Sequence, residues 1–139
     1  MKKVLRFLGI GTLLLAGVAL ADEGKPNMKP GQWQTTMQTE MTGVPVAIPP
    51  IVTEQCLTEK DLVPKNEQKG QSCKVSSQKV TGNSVEWATE CKDSKGKTVT
   101  GTGKVTWAGE SYEGWTETNT GAMVIKTKLT GKRLGDCKK

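Results

Sequence analysis

From Gly31 onward, apolar and polar positions alternate with a period of two. Trp33, Thr35, Met37, Thr39 and Met41 alternate with Gln32, Gln34, Thr36, Gln38 and Glu40. Thr, Val and Trp recur through the rest of the chain, and this pattern predicts strands. The Trp33, Met37, Met41 spacing also suits a helix, but the threonines and the flanking Pro30 and Pro45 favour a strand. Three prolines break the pattern between Gly43 and Pro50, and Ile51 to Cys56 follows as a short strand. Thr58, followed by Glu59, Lys60 and Asp61, has the form of a helix N-cap with acidic residues in the first turn. One or two helical turns are therefore expected before Pro64, then a polar loop from Lys65 to Ser72.

The remainder predicts a meander of hairpins whose turn chemistry sets the register. Gly109-Glu110 and Thr120-Gly121 both suit tight turns. The first turn pairs Trp107 with Tyr112, Val105 with Gly114 and Gly103 with Thr116. The second pairs Thr118 with Met123, Thr116 with Ile125, Gly114 with Thr127 and Tyr112 with Leu129. Opposed residues share a face, so Val105, Trp107, Tyr112, Met123, Ile125 and Leu129 fall on one side. Lys92 to Lys97 joins two further strands, setting Cys91 against Val99, Trp87 against Gly103 and Val85 against Val105. A large indole opposite a bare glycine is a sensible packing pair. A three-residue loop around Gly82-Asn83 then sets Val75 against Thr89 and Cys73 against Cys91.

The four cysteines, Cys56, Cys73, Cys91 and Cys137, are widely spaced and the chain has no His, so two disulfides are expected rather than a zinc site. The register favours Cys73–Cys91, which leaves Cys56 for Cys137 if the first two strands help to close the sheet. The rival pairing, Cys56–Cys73 with Cys91–Cys137, would staple the expected helical insertion instead.

Ahead of this β region the pattern changes. Lys2, Lys3 and Arg6 precede an apolar run from Phe7 to Leu20, and Ala19-Leu20-Ala21 offers a small-x-small cleavage site. Residues 1–21 are thus expected to be a signal peptide, and 22–139 a single exported domain, periplasmic or secreted. An uncleaved N-terminal anchor is the alternative. The run is shorter than the ~20 residues a membrane helix needs, and no second one follows, so no membrane span is expected in the mature chain. Removing the leader lowers the formal charge from +6 to about +3, without a concentrated basic block, which argues against nucleic-acid binding.

The inward positions include many Thr and Gly, and the whole chain has only four Trp, one Tyr and one Phe. Burial at ~25 cal/mol per Å2 then exceeds chain entropy by little, so the disulfides should matter. The expected fold is an all-β antiparallel meander, strongly curved or closed into a small up-and-down barrel, with one short helical insertion; a β-sandwich is the alternative.

Several segments in order resemble a family of small exported bacterial proteins, domain of unknown function 3617. They are Lys29-Pro30-Gly31-Gln32-Trp33, the Met/Pro-rich stretch to Pro50, Gln55-Cys56-Leu57-Thr58, Gly82-Asn83-Ser84-Val85-Glu86-Trp87, and Thr130-Gly131-Lys132-Arg133-Leu134-Gly135-Asp136-Cys137. The resemblance implies an exported β domain with two disulfides, and it carries no activity or functional residues with it. This chain has fewer methionines between Met41 and Pro50 than the family pattern, which weakens any reading built on a Met cluster.

No catalytic constellation stands out. Histidine is absent, no serine lies in a nucleophile elbow, and no glycine-rich phosphate loop opens a helix. Glu110, Glu113 and Glu117 fall on a polar strand face, with Glu113 expected opposite Lys128 as an ion pair. No enzymatic activity and no cofactor are expected. Met37 and Met41, with Met28 and Met123, raise Cu(I) binding as a lesser alternative to core filling.

Trp115 is the exception to the alternation: it falls outside, between Glu113 and Glu117 and facing Lys104 and Lys126. A cation–π cluster, a seat for the Thr58–Val63 helix, or a recognition surface would each account for it. The leading functional expectation is a non-catalytic, monomeric binding module of the cell envelope. It would take a small apolar ligand on its concave side, at Trp33, Met37, Trp87, Trp107 and Tyr112, or an envelope protein at the Trp115 face. The alternative is a protein inhibitor or accessory subunit acting through the proline-rich loop 43–50.

Overall fold

Alternation along the chain becomes seven strands: β1 (Gly31–Met41), β2 (Ile51–Leu57), β3 (Ser72–Thr81), β4 (Ser84–Lys92), β5 (Thr98–Trp107), β6 (Ser111–Asn119) and β7 (Val124–Gly135). The computed structural model describes residues 24–64 and 70–139. The expected signal peptide, residues 1–21, and most of the Lys65–Ser72 loop lie outside the described residues. All seven strands form one sheet in the order β2-β1-β7-β6-β5-β4-β3, antiparallel throughout. Residues from every strand line one common cleft, so the sheet curls around it.

The sheet does not close into a barrel, and it forms no sandwich. The reason is parity. Antiparallel steps lead from β2 round to β3, and their number leaves the two edge strands running in the same direction. They cannot supply the antiparallel ladder that an up-and-down barrel needs. Of the β2–β3 connection, Lys60, Asp61, Val63 and Pro64 line the concave cleft.

The second departure from expectation is the helical insertion. The Thr58–Val63 helix is not formed. Asp61 Oδ2 accepts the Thr58 N–H at 2.9 Å and the Thr58 hydroxyl at 2.7 Å, and Asp61 N–H donates to the Thr58 carbonyl at 2.9 Å. A capping-type contact is made, but it closes a single turn. Pro64 holds Val63 away from the helical region, which leaves too few residues for a helical nucleus. Leu62 and Val63 instead pack against the core.

The β4–β5 and β5–β6 registers match the hairpin arithmetic, including Trp87 opposite Gly103 and Trp107 opposite Tyr112. The β6–β7 register is shifted by two residues, pairing Tyr112 with Gly131, Gly114 with Leu129, Thr116 with Thr127 and Thr118 with Ile125. The turn there spans Thr120 to Met123, closed by Thr120 N–H on the Met123 carbonyl at 3.1 Å, with Asn119 Oδ1 accepting Gly121 N–H at 2.8 Å. An even shift keeps every side chain on its face, but Met123 leaves the strand and is exposed. Between β3 and β4 the turn holds two residues rather than three, with Thr81 opposite Ser84. A bulge at Ser76 supplies the missing residue, so Val75 still meets Thr89 and Cys73 meets Cys91.

One end of the concave face is filled. Trp33 and Trp107 meet edge-on with centroids 5.3 Å apart, and Tyr112 lies 4.6 Å from Trp107. Val85, Val105, Leu129 and Leu57 complete this cluster. Its polar atoms are largely satisfied: Trp33 Nε1 donates to the Lys29 carbonyl at 3.0 Å, and the Thr35 and Tyr112 hydroxyls lie 2.6 Å apart. The segment before β1 caps this end through the Met28–Gly109 bridge and Gly109 N–H on the Asn27 carbonyl at 2.7 Å.

Disulfides join Cys56 to Cys137 and Cys73 to Cys91. Cys56 immediately precedes the last residue of β2, and Cys73 is the second residue of β3. The β2–β3 connection therefore begins and ends beside a disulfide. Two disulfides place the fold in an oxidising, extracellular type of environment. No helix among the described residues is long and apolar enough to cross a membrane.

Candidate binding cleft

The concave face is divided in two. Trp33, Trp107 and Tyr112, expected to line a ligand site, are buried in the aromatic cluster and close it. Met37 and Trp87 stand at the boundary and line the open half. That half is a cleft of about 560 Å3, within the ~300–1,000 Å3 typical of ligand pockets. Its long walls come from Met37 and Met41 on β1, Ile51 on β2, Val75 on β3, Val99 on β5 and Ile125 on β7.

Small inward side chains are what keep it open. At matched positions where the aromatic end carries Trp and Tyr, this end carries Thr39, Thr89, Gly101, Thr116, Thr118 and Thr127. Thr39 and Thr127 hydroxyls bond each other at 3.1 Å across β1 and β7. Thr116 and Thr118 hydroxyls have no partner among the described residues. The Cys73–Cys91 disulfide lies in the wall, and Lys60, Asp61, Val63 and Pro64 from the β2–β3 connection border the opening. Ile51, Val75, Val99, Ile125 and the threonines were not assigned to a ligand site from sequence, and Met41 entered only as a possible Cu(I) ligand. The available signal was the run of small residues on the inward register.

Trp115 lies on the convex face of β6 and is 47% exposed. Its cross-strand neighbours are Lys104 and Lys128, because the β6–β7 shift moves Lys126 to Glu117, 3.6 Å away. Glu113 correspondingly opposes Thr130 rather than Lys128. Lys104 points its ammonium at Glu86, 3.0 Å away. No helix covers the indole: the Thr58–Pro64 segment packs on the opposite, concave side.

The methionines do not converge. Met41 and Met123 lie toward one end of the sheet and Met28 at the other, while Met37 packs against the core. Among the described residues no group of three or more His, Cys, Asp or Glu is placed to hold a metal ion. Burial raises the pKa of Tyr112, an effect partly offset by the Thr35 hydroxyl bond.

The proline-rich loop between β1 and β2 has no regular secondary structure, and Val44 and Val46 point into solvent. Gln38 Nε2 donates to the Ile48 carbonyl at 3.0 Å and ties the loop back to β1.

No curated protein and no solved structure matches the chain. The family model described as protein of unknown function (DUF3617) matches residues 28–137, from the Gly109 bridge to the final cysteine, and the chain belongs to that family.

Proposed function

We propose that this domain is a non-catalytic binding module of the cell envelope, periplasmic or secreted, that holds a small apolar ligand in the threonine-lined cleft. The observation that carries this reading is the division of the concave face. A domain this small, with a thin core, would gain stability by filling the second half as it fills the first. Leaving a cleft of about 560 Å3 unfilled is a cost that ligand burial would offset.

The test is titration of the oxidised protein with N-phenyl-1-naphthylamine, a neutral dye that fluoresces in apolar surroundings. Saturable one-to-one binding is expected, weakened at least tenfold in Thr118→Trp, whose indole would fill the cleft. A Thr118→Trp variant with unchanged dye affinity and an unchanged unfolding midpoint would refute the site.

A second reading has its own observation, the exposed Val44 and Val46 on the stiff loop between β1 and β2. Such a loop suits insertion into a partner's cleft, as an inhibitor or accessory subunit would use it. Deleting 44–48 would then abolish partner capture, while leaving dye binding intact.

A further inference from the structure

We infer, resting on the cleft reading above, that the ligand is an amphipathic anion: an acyl-chain carboxylate with its tail against the apolar wall and its head group at Lys60. The cleft is graded in polarity. Its walls are Met41, Val99, Ile125 and their neighbours, whereas its rim carries charge. Three charged residues line it, Lys60, Asp61 and Lys74.

The state of each rim group decides the sign of the ligand. The Asp61 carboxylate is already engaged by the Thr58 N–H and hydroxyl, so it offers a cation little. Lys74 alternates with the inward Cys73 and Val75, and its ammonium lies 3.6 Å from Glu90 on the convex side, away from the cleft. The Lys60 ammonium makes no ion pair among the described residues. An anionic head group there gains a charge-assisted contact without breaking another. The free hydroxyls of Thr116 and Thr118 lie within the cleft and can donate to an ester or carboxyl oxygen of a ligand that enters deeper. A neutral alkyl chain would leave Lys60 unused, and a cationic head group would meet the Lys60 ammonium.

Isothermal titration of the oxidised protein at pH 8 with decanoate, decanol and decyltrimethylammonium, each below its micellar range, separates the possibilities. Decanoate is expected to bind one-to-one and at least tenfold tighter than decanol, with decyltrimethylammonium weakest. Lys60→Glu should erase the advantage of decanoate and leave decanol affinity unchanged; Lys60→Gln should give an intermediate loss. Equal binding of decanol and decanoate to the wild type would overturn the anionic head group while leaving the cleft as a site. A decanoate preference that survives Lys60→Glu would overturn it too. Binding by none of the three would remove this inference and the cleft reading together.

Discussion

The ring of Tyr112 on β6 lies over the backbone of Gly131 on β7, where any side chain at position 131 would collide with the ring carbons. Trp87 stands in the same relation to Gly103, its cross-strand partner on β5. Two bulky rings are thus seated on two bare residues, and the aromatic end of the concave face closes because of it. Gly131→Ala and Gly103→Ala should each destabilise by about 1–3 kcal/mol, the usual cost of overpacking a tight core. Urea unfolding followed by circular dichroism would measure both. Wild-type midpoints in either variant would mean that the ring is free to move aside.

Trp33 and Trp107 touch each other but differ in how their indole N–H groups are satisfied. Trp33 Nε1 donates to the Lys29 carbonyl, whereas Trp107 Nε1 is buried without a partner among the described residues. Replacing either by Phe removes similar packing. Only Trp33→Phe also breaks a hydrogen bond, and only Trp107→Phe relieves an unpaired donor. Trp33→Phe should therefore be the more destabilising by about 1 kcal/mol or more. Chemical denaturation of the two variants side by side decides the matter, and the reverse order would contradict the assignment.

Burial raises the Tyr112 pKa above 10.0, outweighing the opposing bond to Thr35. The folded state thus favours the protonated phenol more than the unfolded chain does. Its contribution is fully present below the unfolded pKa of about 10 and is lost as pH rises through the higher folded value. As pH rises above about 10, unfolding midpoints should fall more steeply in the wild type than in Tyr112→Phe. Parallel curves for the two proteins would show that the phenol is not the group responsible.

Much of this architecture is legible in local chemistry, and the failures have physical causes. Gly109 dictates the β5–β6 turn, and the pairing of Trp107 with Tyr112 follows from it. At Thr120 a side chain that can bond the Met123 backbone favours a longer turn, which moves the register by two and exchanges Lys126 for Lys128 beside Trp115. The Ser76 bulge leaves no mark in alternation because nearly all of β3 is exposed at the sheet edge. Thr58 and Asp61 do form the contact of a helix start, but Pro64 follows too closely for a helix to continue. The division of the concave face was hidden for a different reason. Periodicity reports which side a residue faces, and only the summed volume of opposed residues reports whether that side is filled.

The two disulfides differ in both span and place, so their removal should be distinguishable. Cys56–Cys137 closes a separation of 81 residues and Cys73–Cys91 one of 18. Loop entropy assigns the first about 4–5 kcal/mol and the second about 3 kcal/mol. Against a total of roughly 5–15 kcal/mol for an ordinary domain, either loss is severe. Cys56→Ala/Cys137→Ala should lower the unfolding midpoint further, because it also frees β2 and the end of the chain that follows β7. Cys73→Ala/Cys91→Ala should have the smaller effect on stability but the larger one on the cleft, whose wall contains that disulfide. Dye affinity measured beside the unfolding midpoint in each pair separates the roles. A Cys73→Ala/Cys91→Ala protein that binds N-phenyl-1-naphthylamine as tightly as the wild type would show that this staple does not shape the cleft.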